Sequence, residues 1–512
     1  MENFQKKAVW TAFLMIALTL GAKLLGFIRE MVLANYFGTG FVTDAYVMAS
    51  SIPVLIFGTL FLAVATGYMP LLSRKMELEG EESASRFTSR CMTILAVICL
   101  VFTALGIFFS DGLVTIFASG FEGEVAELTS TYTKICFGLI IFSSLTLLLE
   151  TYLNYKNHFL SPILVSYIQY AAVILSIIIA SRAGHQFLAW GLLLGFGLRF
   201  AGLAAVSREK GFRYQPVWKP NGDVKELLAM TLPVFIGSGA WQINLMVDRA
   251  FGSYLEEGSV SALNYSYNII NLIMGLTTSV VVTLIYPKLT KAATLENKDD
   301  FRKLMREGIV IILLIAIPFT LGAMFFAQPV VQAIYERGTF DSQSTAMTAT
   351  ALFFYAIGLV FITLQPLLVR GYYSLKDTRT PVYAALASIA VNAVLNLAFW
   401  KLLGNVGLTL GTSIAALVNA ALLYLGFRKK FTDVALLHGN KKMILQVAIA
   451  SGASVGAAWL LYQVISGFIG NLLALAAAVC LAAVLYLVLL LIFKVEEVKV
   501  LLSLFRRKKQ AE

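Results

Sequence analysis

Residues 24–53 read LLGFIREMVLANYFGTGFVTDAYVMASSIP, and they place charged side chains in hydrophobic runs long enough to cross a bilayer. Lys23, Arg29, Glu30 and Asp44 all lie in or beside these runs. An ionisable group in hydrocarbon costs about 2.5–3.5 kcal/mol on insertion scales, so it normally faces a partner or a water-filled cavity. Two cations and two acids close together therefore indicate a charged cavity, and such a cavity is typical of transport.

The composition is that of a polytopic membrane protein. Of the 512 residues, 59% are hydrophobic and 13% are charged, whereas soluble domains carry about 25% charged residues. Mean hydropathy is +0.79. Apolar stretches of the length that spans a bilayer as a helix recur from end to end. We predict an all-α protein with fourteen spans, near 8–34, 42–70, 88–111, 130–153, 160–181, 186–206, 227–254, 260–287, 305–327, 345–370, 381–401, 406–427, 441–466 and 470–493.

The basic residues predict the orientation of these spans. With the N-terminus in the cytoplasm, the loops on that side contain 32 of the 40 lysines and arginines. Cytoplasmic loops are enriched in such residues, so both termini are predicted to be cytoplasmic. The formal charge of +11 is then mostly a topology signal, which also favours anionic lipid on the cytoplasmic face. Nothing in the sequence calls for nucleic acid.

The sequence lacks the motifs of enzyme active sites. It has no Walker loop, no GxSxG segment and no catalytic His–Asp or Cys–His set, so we predict no enzyme activity and no catalytic residues. The four cysteines lie in or near apolar spans without a CxxC pattern, which is typical of small buried hydrophobic residues. The three histidines lie outside the middle of the spans, which argues against a zinc site.

The chain contains an internal repeat. YMPLLSRKMELEGEESASRFTSR at 68–90 matches IYPKLTKAATLENKDDFRKLMRE at 285–307, and Pro70 and Pro287 are 217 residues apart. The repeat unit is therefore six spans, which gives two halves of the same orientation. Two facing six-helix lobes are typical of alternating-access transporters, in which the substrate binds between the lobes.

This repeat predicts the domain organisation. We expect an N-lobe of spans one to six at 1–220 and a C-lobe of spans seven to twelve at 221–432. Spans 13 and 14, followed by a basic cytoplasmic tail, occupy 433–512. No charged residue occurs between Met443 and Phe493, so the last two spans suit lipid contact or a hydrophobic groove.

Span one carries a candidate anion site. Lys23 and Glu30 are seven residues apart and share a helix face, and Arg29 lies about 100° round the helix. A guanidinium suits phosphate oxygens, so these residues are interpreted as the wall of an anion-binding cavity. The alternative is a structural ion pair of Arg29 with Glu30 or Asp44 that ties spans one and two together.

Polar residues in spans seven, eleven and twelve form a candidate cation site. Asp248 lies in span seven, Asn392 and Asn396 are one turn apart in span eleven, and Thr412 lies in span twelve. Their oxygens suit a hard cation such as Na⁺. The alternative is packing through interhelical hydrogen bonds, each contributing about 0.6 kcal/mol on average.

Three separated motifs resemble the MurJ (MviN) family of the MOP superfamily of exporters. They are LLGFIREMVLANYFGTGFVTDAY at 24–46, IYERGTFD at 334–341 and YYSLKDTRTP at 372–381. The resemblance runs from span one to span fourteen. It implies two MATE/MOP-like lobes plus two C-terminal helices. It also implies a flippase that moves lipid II, the undecaprenyl-pyrophosphate-linked precursor of peptidoglycan, from the inner to the outer leaflet of the bacterial cytoplasmic membrane.

The resemblance also implies partners and site residues. Membrane lipids and other cell-wall synthesis proteins are the expected partners besides the substrate. Two cavity arginines of the family do not carry over, because Phe57 and Asn268 stand in their places. With fewer cations for a pyrophosphate, another polyprenyl-linked glycan remains an alternative substrate. The expected substrate-binding residues are Lys23, Arg29, Glu30, Asp44 and Asn268.

A sodium ion, acting as the coupling ion, is the one cofactor that the resemblance implies. Asn396 stands where an aspartate would be expected, which removes one negative charge from the site. The implied ligands are Asp248, Asn392, Asn396, the Leu408 carbonyl and Thr412.

Two other classes of protein remain open. A MATE-type drug/cation antiporter has the same twelve-helix core, although the span-one cations suit a cationic substrate poorly. A membrane scaffold without transport activity would have no need of charges that face a central cavity.

Overall fold

The computed structural model describes residues 2–217, 222–238, 240–281, 285–430 and 441–495. Over these residues the protein is helical, as predicted, and nineteen α-helices are formed. The first ten are α1 (Glu2–Phe37), α2 (Phe41–Leu78), α3 (Glu81–Phe108), α4 (Ser110–Phe117), α5 (Glu124–Cys136), α6 (Leu139–Tyr155), α7 (Leu160–Ala183), α8 (Phe187–Glu209), α9 (Gly222–Ser238) and α10 (Ala240–Gly252). The other nine are α11 (Ser259–Val280), α12 (Tyr286–Thr294), α13 (Lys298–Phe325), α14 (Ala327–Tyr335), α15 (Ser342–Ser374), α16 (Arg379–Leu403), α17 (Asn405–Lys430), α18 (Lys441–Ile469) and α19 (Asn471–Ile492).

Much of the helical structure has the length and composition of membrane spans. Within the described ranges, eleven segments are long and apolar enough to cross a bilayer. They correspond to predicted spans two to six and nine to fourteen; α5 and α6 together form one of them. Predicted span one falls on α1, span seven on α9 and α10, and span eight on α11. The protein is therefore a polytopic membrane protein, and the count of fourteen stays a prediction.

The chain divides into two compact units. Unit 1 comprises Met1–Ser261 and the short segment Arg337–Phe340, and unit 2 comprises Ala262–Glu336 and Asp341–Glu512. The predicted lobe boundaries at 220/221 and 432/433 lie outside the described residues, as does most of the predicted basic tail.

The core of unit 1 contains large aromatic side chains whose hydroxyl groups are paired. Tyr68 of α2 is fully buried, stacks on Phe87 of α3 with ring centroids 5.7 Å apart, and shares a 2.7 Å hydrogen bond with Thr88. Tyr132 of α5 donates to the His185 carbonyl at 2.7 Å. Buried hydroxyls away from water need such partners, so these tyrosines fix how neighbouring helices meet.

In unit 2, α15 and α17 pack closely through small residues and one tyrosine. The ring of Tyr372 of α15 packs against the ring of Phe427, with the ring centroids 4.0 Å apart, and the Tyr372 hydroxyl donates to the Leu423 carbonyl at 2.8 Å. Ser413 of α17 donates to the Phe354 carbonyl at 2.6 Å and accepts from the Gly358 N–H at 3.1 Å. These contacts hold the part of α17 that carries Ser413 in a fixed register on α15.

Candidate substrate and ion sites

The charged residues of span one lie on one unbroken helix. α1 carries Lys23 exposed, Arg29 partly exposed and Glu30 buried, with 6% of Glu30 accessible. Arg29 Nε donates to the Glu30 carboxylate at 3.0 Å, and a terminal nitrogen of Arg29 contacts the same oxygen. The alternative interpretation was a structural ion pair of Arg29 with Glu30 or Asp44 that ties spans one and two together. The ion pair of Arg29 with Glu30 forms, but both residues lie on α1, so this pair does not tie α1 to α2. Pairing lowers the cost of a buried carboxylate and leaves the guanidinium partly accessible.

Glycines of α1 bring it close to α7. A Cβ on Gly21 would lie 2.1 Å from the Tyr167 hydroxyl, which donates to the Leu18 carbonyl at 2.8 Å. A Cβ on Gly26 would lie 3.3 Å from the Tyr170 ring. Small residues allow such close helix packing in membranes. Gly21 and Gly26 therefore allow α1 to pack closely against α7.

Asp44 lies against the beginning of α11. Its side chain is 2% exposed, and its two oxygens accept from the Gly258 N–H and the Ser261 N–H, both at 2.7 Å. These two donors are the ones that a capping box satisfies at a helix N-terminus. Gly258 has φ +88° and a Cβ there would meet Thr39, so the cap position cannot carry its own capping side chain. Asp44 of α2 supplies that function instead.

A second acidic residue, which precedes α11, caps the N-terminus of α2. Glu257, just before α11, accepts from the Phe41 N–H at the start of α2 at 2.9 Å. The N-termini of α2 and α11 therefore cap one another within unit 1. N-terminal caps typically contribute about 0.5–2 kcal/mol each, so this exchange stabilises the junction.

Residues 337–340 of the motif IYERGTFD pack onto the chain between α1 and α2. The Thr339 N–H donates to the Asn35 carbonyl at 3.0 Å. Gly338 has φ +62°, and a Cβ there would lie 2.1 Å from the same carbonyl oxygen. Gly38 has φ +58°, and its Cβ would lie 2.6 Å from the Thr339 carbonyl. The sequence motif at 24–46 and residues 337–340 of the motif at 334–341 are therefore in contact at glycine backbones.

Four of the predicted cation ligands form one hydrogen-bonded chain in unit 2. The Asn396 amide donates to Asn392 Oδ1 at 3.3 Å, the Asn392 amide donates to Thr412 Oγ1 at 3.1 Å, and the Thr412 hydroxyl donates to the Leu408 carbonyl at 3.2 Å. All four residues are buried, with at most 3% exposed. The bond between Asn392 of α16 and Thr412 of α17 is an interhelical hydrogen bond of the kind that the packing alternative predicts, and cation binding stays a prediction. The set offers neutral amide, hydroxyl and carbonyl oxygens, which is the donor chemistry of a hard-cation site.

The remaining predicted residues lie elsewhere on the helices. Asp248 is on α10 in unit 1 and is 1% exposed. Its neighbour Arg249 donates to the Ser51 hydroxyl of α2. Asn268 is half-buried on α11 in unit 2. Among the described residues, no group of three or more His, Cys, Asp or Glu side chains could hold a metal ion.

A second charged cluster inside the spans of unit 1 was missed by sequence reasoning. Arg199 of α8 contacts the Glu150 carboxylate of α6 and donates to Gln169 Oε1 of α7 at 3.0 Å. The side chains of Arg199 and Glu150 are 24% and 17% exposed. One polar residue in each of three successive spans is the signal that could have found it. The cluster joins three helices through one guanidinium.

This helical fold is shared with membrane transporters. An inward-facing multidrug resistance MATE family transporter of the MOP superfamily superposes with a TM-score of 0.68 at 15% identity, over 83% of this chain and 98% of the transporter. At this identity the likeness shows the fold alone. The protein is thus a polytopic helical membrane protein with the fold of MOP-superfamily transporters.

The sequence comparisons are more specific. The family model described as lipid II flippase MurJ matches residues 33–478. The lipid II flippase MurJ of Burkholderia cenocepacia is 30% identical over 424 residues, covering 80% of this chain and 82% of that protein. A probable lipid II flippase MurJ of Rhizobium meliloti is 30% identical over 470 residues, covering 88% and 86%. The chain therefore belongs to the MurJ family.

A solved structure supports the same assignment. A lipid II flippase MurJ in an inward closed conformation superposes with a TM-score of 0.81 at 25% identity, over 95% of this chain and 100% of that one. The resemblance that the three sequence motifs indicated is therefore confirmed along almost the whole chain.

Proposed function

We propose that the protein is a flippase that moves lipid II from the inner to the outer leaflet of the bacterial cytoplasmic membrane. The observation that carries the proposal is membership of the MurJ family over residues 33–478, since the relatives are named as flippases of this lipid. Such a protein changes no covalent bond of its substrate. Other cell-wall synthesis proteins are proposed as partners, because they would supply and consume the lipid.

The charges of α1 support an anionic substrate. Glu30 is buried and already engaged by Arg29, whereas the Arg29 side chain is 28% exposed and Lys23 is exposed. The accessible charges at 23–30 are therefore positive. A guanidinium presents a planar fork to phosphate oxygens, and a lysine adds a point charge. We assign the pyrophosphate of the substrate to Arg29 and Lys23, with Asn268 as a neutral polar contact.

An apolar cavity in unit 2 suits the hydrocarbon part of a prenyl lipid. The cavity measures about 480 Å³ and lies among α11, α13, α14, α15, α18 and α19. Its lining includes Ile273, Leu314, Phe319, Val455, Ala482 and Leu487. Transfer of apolar surface into such a site is favourable by about 25 cal/mol per Å². The last two helices then contribute to tail binding, as their uncharged sequence predicts.

The architecture that we propose has fourteen spans, with both termini in the cytoplasm. Two repeated six-helix lobes provide alternating access to the substrate, and the last two spans lie outside the repeat. The support is the sequence repeat at an offset of 217 residues, the distribution of basic residues and the eleven spans that meet the length and composition test.

We further propose that Na⁺ couples to transport through Asp248, Asn392, Asn396, Thr412 and the Leu408 carbonyl. The hydrogen-bonded chain in unit 2 supports this assignment, because its four members are buried together and offer oxygen ligands. Asp248 would supply the single negative charge. The side-chain amides can turn their oxygens toward a bound ion, since amide orientation is set by the local hydrogen-bond network.

Depletion of the protein in its host tests the flippase proposal. We expect lipid II to accumulate in the inner leaflet and to disappear from the outer leaflet, as measured by a membrane-impermeant reagent that labels the exposed head group. Accumulation of a different polyprenyl-linked glycan would replace lipid II as the substrate. Unchanged lipid intermediates together with lost efflux of cationic drugs would replace the proposal with an antiporter.

A further inference from the structure

A cavity in unit 1 lies apart from the residues assigned above. It measures about 850 Å³ and is formed by α3, α6, α8 and the segment that follows α8. Most of its wall is apolar, and it is large enough for a ligand, since ligand pockets typically measure about 300–1,000 Å³. Its apolar lining is Met92, Ala96, Leu145, Leu149, Phe200 and Ala204.

The segment that closes this cavity is held in place by a ladder of hydroxyl groups. Ser85 and Ser89 of α3 accept from the N–H groups of Arg213 and Gln215, both at 3.1 Å. One turn further on, Thr93 shares a 2.8 Å hydrogen bond with the Tyr214 hydroxyl. Three hydroxyl groups of α3, spaced four residues apart, therefore hydrogen-bond the segment, which forms an ordered wall of the cavity.

Two more contacts fix the beginning of this segment. Phe212 is 5% exposed and packs against the Tyr152 ring with centroids 5.3 Å apart. Gly211 has φ +95°, and a Cβ there would lie 2.6 Å from the Glu81 carboxylate. The chain can therefore turn sharply after α8 and present the next side chains at the rim.

Two arginines, Arg208 and Arg213, line the same cavity, and both are exposed. Within the described part of the chain neither forms an ion pair, whereas the nearby carboxylates are engaged by lysines. Lys156 binds Glu81 at 2.6 Å and Lys210 binds Glu209 at 2.7 Å. The cavity therefore combines an apolar interior with two guanidinium groups whose charge has no carboxylate counterpart.

We infer that this cavity binds an anionic phospholipid, with the head-group phosphate on Arg208 and Arg213 and part of an acyl chain against the apolar wall. Charge complementarity supports this occupant, because guanidinium groups bind phosphate oxygens in a bidentate manner and the interior suits hydrocarbon. The positive-inside count places this end of α8 at the cytoplasmic leaflet, where the surface is negative. The inference does not depend on the flippase proposal, since the cavity shares no residue with the substrate assignment.

Native mass spectrometry of the full-length protein tests this inference. Phosphatidylglycerol should bind the wild type, and phosphatidylcholine with the same chains should bind much more weakly. The double variant R208Q/R213Q should weaken phosphatidylglycerol binding about 25-fold, at about five-fold for each cation next to an anionic lipid. The matched control is R86Q, which removes an exposed arginine that is paired with Glu82 at 3.8 Å and should change the affinity little.

A photoreactive acyl chain on phosphatidylglycerol locates the lipid tail. We expect crosslinks to the peptides that contain Met92 and Leu149, and we expect A96W, which fills the cavity, to remove them. The inference fails if the double variant binds phosphatidylglycerol as the wild type does. It also fails if inorganic phosphate competes equally well, or if a polyprenyl pyrophosphate outcompetes the phospholipid, because the cavity would then hold a free anion or the transported lipid.

Discussion

At the scale of single residues, substitutions of Asp44 distinguish a structural role of this side chain from a role in substrate binding. Its carboxylate caps the first turn of α11 through two buried N–H donors at 2.7 Å. A buried donor left unpaired costs about 1–3 kcal/mol. We therefore expect Asp44→Ala to lower the free energy of unfolding in detergent by about 2–4 kcal/mol, and Asp44→Asn to lower it by about half as much.

Asp341→Ala is the matched control for this prediction. Asp341 caps its own helix, α15, by accepting from the Ser344 N–H at 2.8 Å, so its removal should cost about 1 kcal/mol. The backbone N–H bond also holds the pKa of Asp341 below its usual range, so this contribution is present above about pH 4 and is lost as pH falls through the lowered pKa. A stable Asp44→Asn protein that no longer transports would instead make Asp44 a substrate ligand.

The cation ligands provide the second prediction at this scale. If Asp248 and the hydrogen-bonded chain hold Na⁺, then Na⁺ should stabilise the purified protein against heat more than K⁺ at equal ionic strength. The gain follows RT ln(1 + [Na⁺]/Kd), about 1–3 kcal/mol near saturation. Asp248→Asn should remove the difference between the two ions. Asp299→Asn, at a side chain that is 92% exposed, should leave it unchanged. An ion-specific shift that survives Asp248→Asn would contradict the site.

The residues also show what sequence could and could not predict. Asn392 and Asn396 were placed on one face because they are one helical turn apart, and their hydrogen bond to each other agrees. The role of Asp44 could not be predicted, because its partners are backbone N–H groups more than 200 positions away, which no side-chain pattern marks. The cluster of Glu150 and Arg199 does carry a signal, since Glu150, Gln169 and Arg199 are polar residues in three successive spans.

At the scale of elements, the conformation of the motif IYERGTFD depends on a glycine. Gly338 combines φ +62° with a neighbouring carbonyl that a Cβ would approach to 2.1 Å. A non-glycine residue in such a conformation costs about 1–3 kcal/mol, and the collision adds to this. We expect Gly338→Ala to lower the melting temperature and to increase proteolysis in the loop between α14 and α15.

A second glycine isolates the effect of the collision. Gly404 has φ +56° but nothing within 4 Å of its Cβ position, so Gly404→Ala carries the backbone cost alone. The Gly338 variant should therefore be the less stable of the two. Equal melting temperatures would mean that the 337–340 segment is not held against Asn35. The motif IYERGTFD is visible in the sequence, but its contact with Asn35 required the structure, because Thr339 and Asn35 are 304 positions apart.

At the scale of the whole molecule, alternating access makes a labelling prediction. A cysteine at Ser50 or Asn268 should react with a polar thiol reagent from outside in one state and be protected in the other. Cys480 is exposed and must first be replaced, whereas Cys91, Cys99 and Cys136 are buried. Reactivity that does not change with substrate or with the ion gradient would argue against two access states.

The helical class and the family were predictable from sequence, because hydropathy indicates the helices and three motifs indicate the family. The contacts between helices are not, because they join residues far apart in the sequence, as Asp44 and Ser261 show.

The central claim is that this chain flips a pyrophosphate-linked lipid by means of Arg29. The most direct measurement is flipping of labelled lipid II by the purified protein in vesicles, followed as the fraction of head groups that an external reagent reaches. Arg29→Ala should reduce the rate about 10- to 150-fold, because a hydrogen bond to a charged group contributes about 1.5–3 kcal/mol. Arg29→Lys should retain part of the rate, and Arg86→Ala should match the wild type. Wild-type vesicles that flip lipid II no faster than protein-free vesicles, or an Arg29→Ala protein that flips at the normal rate, would contradict the account.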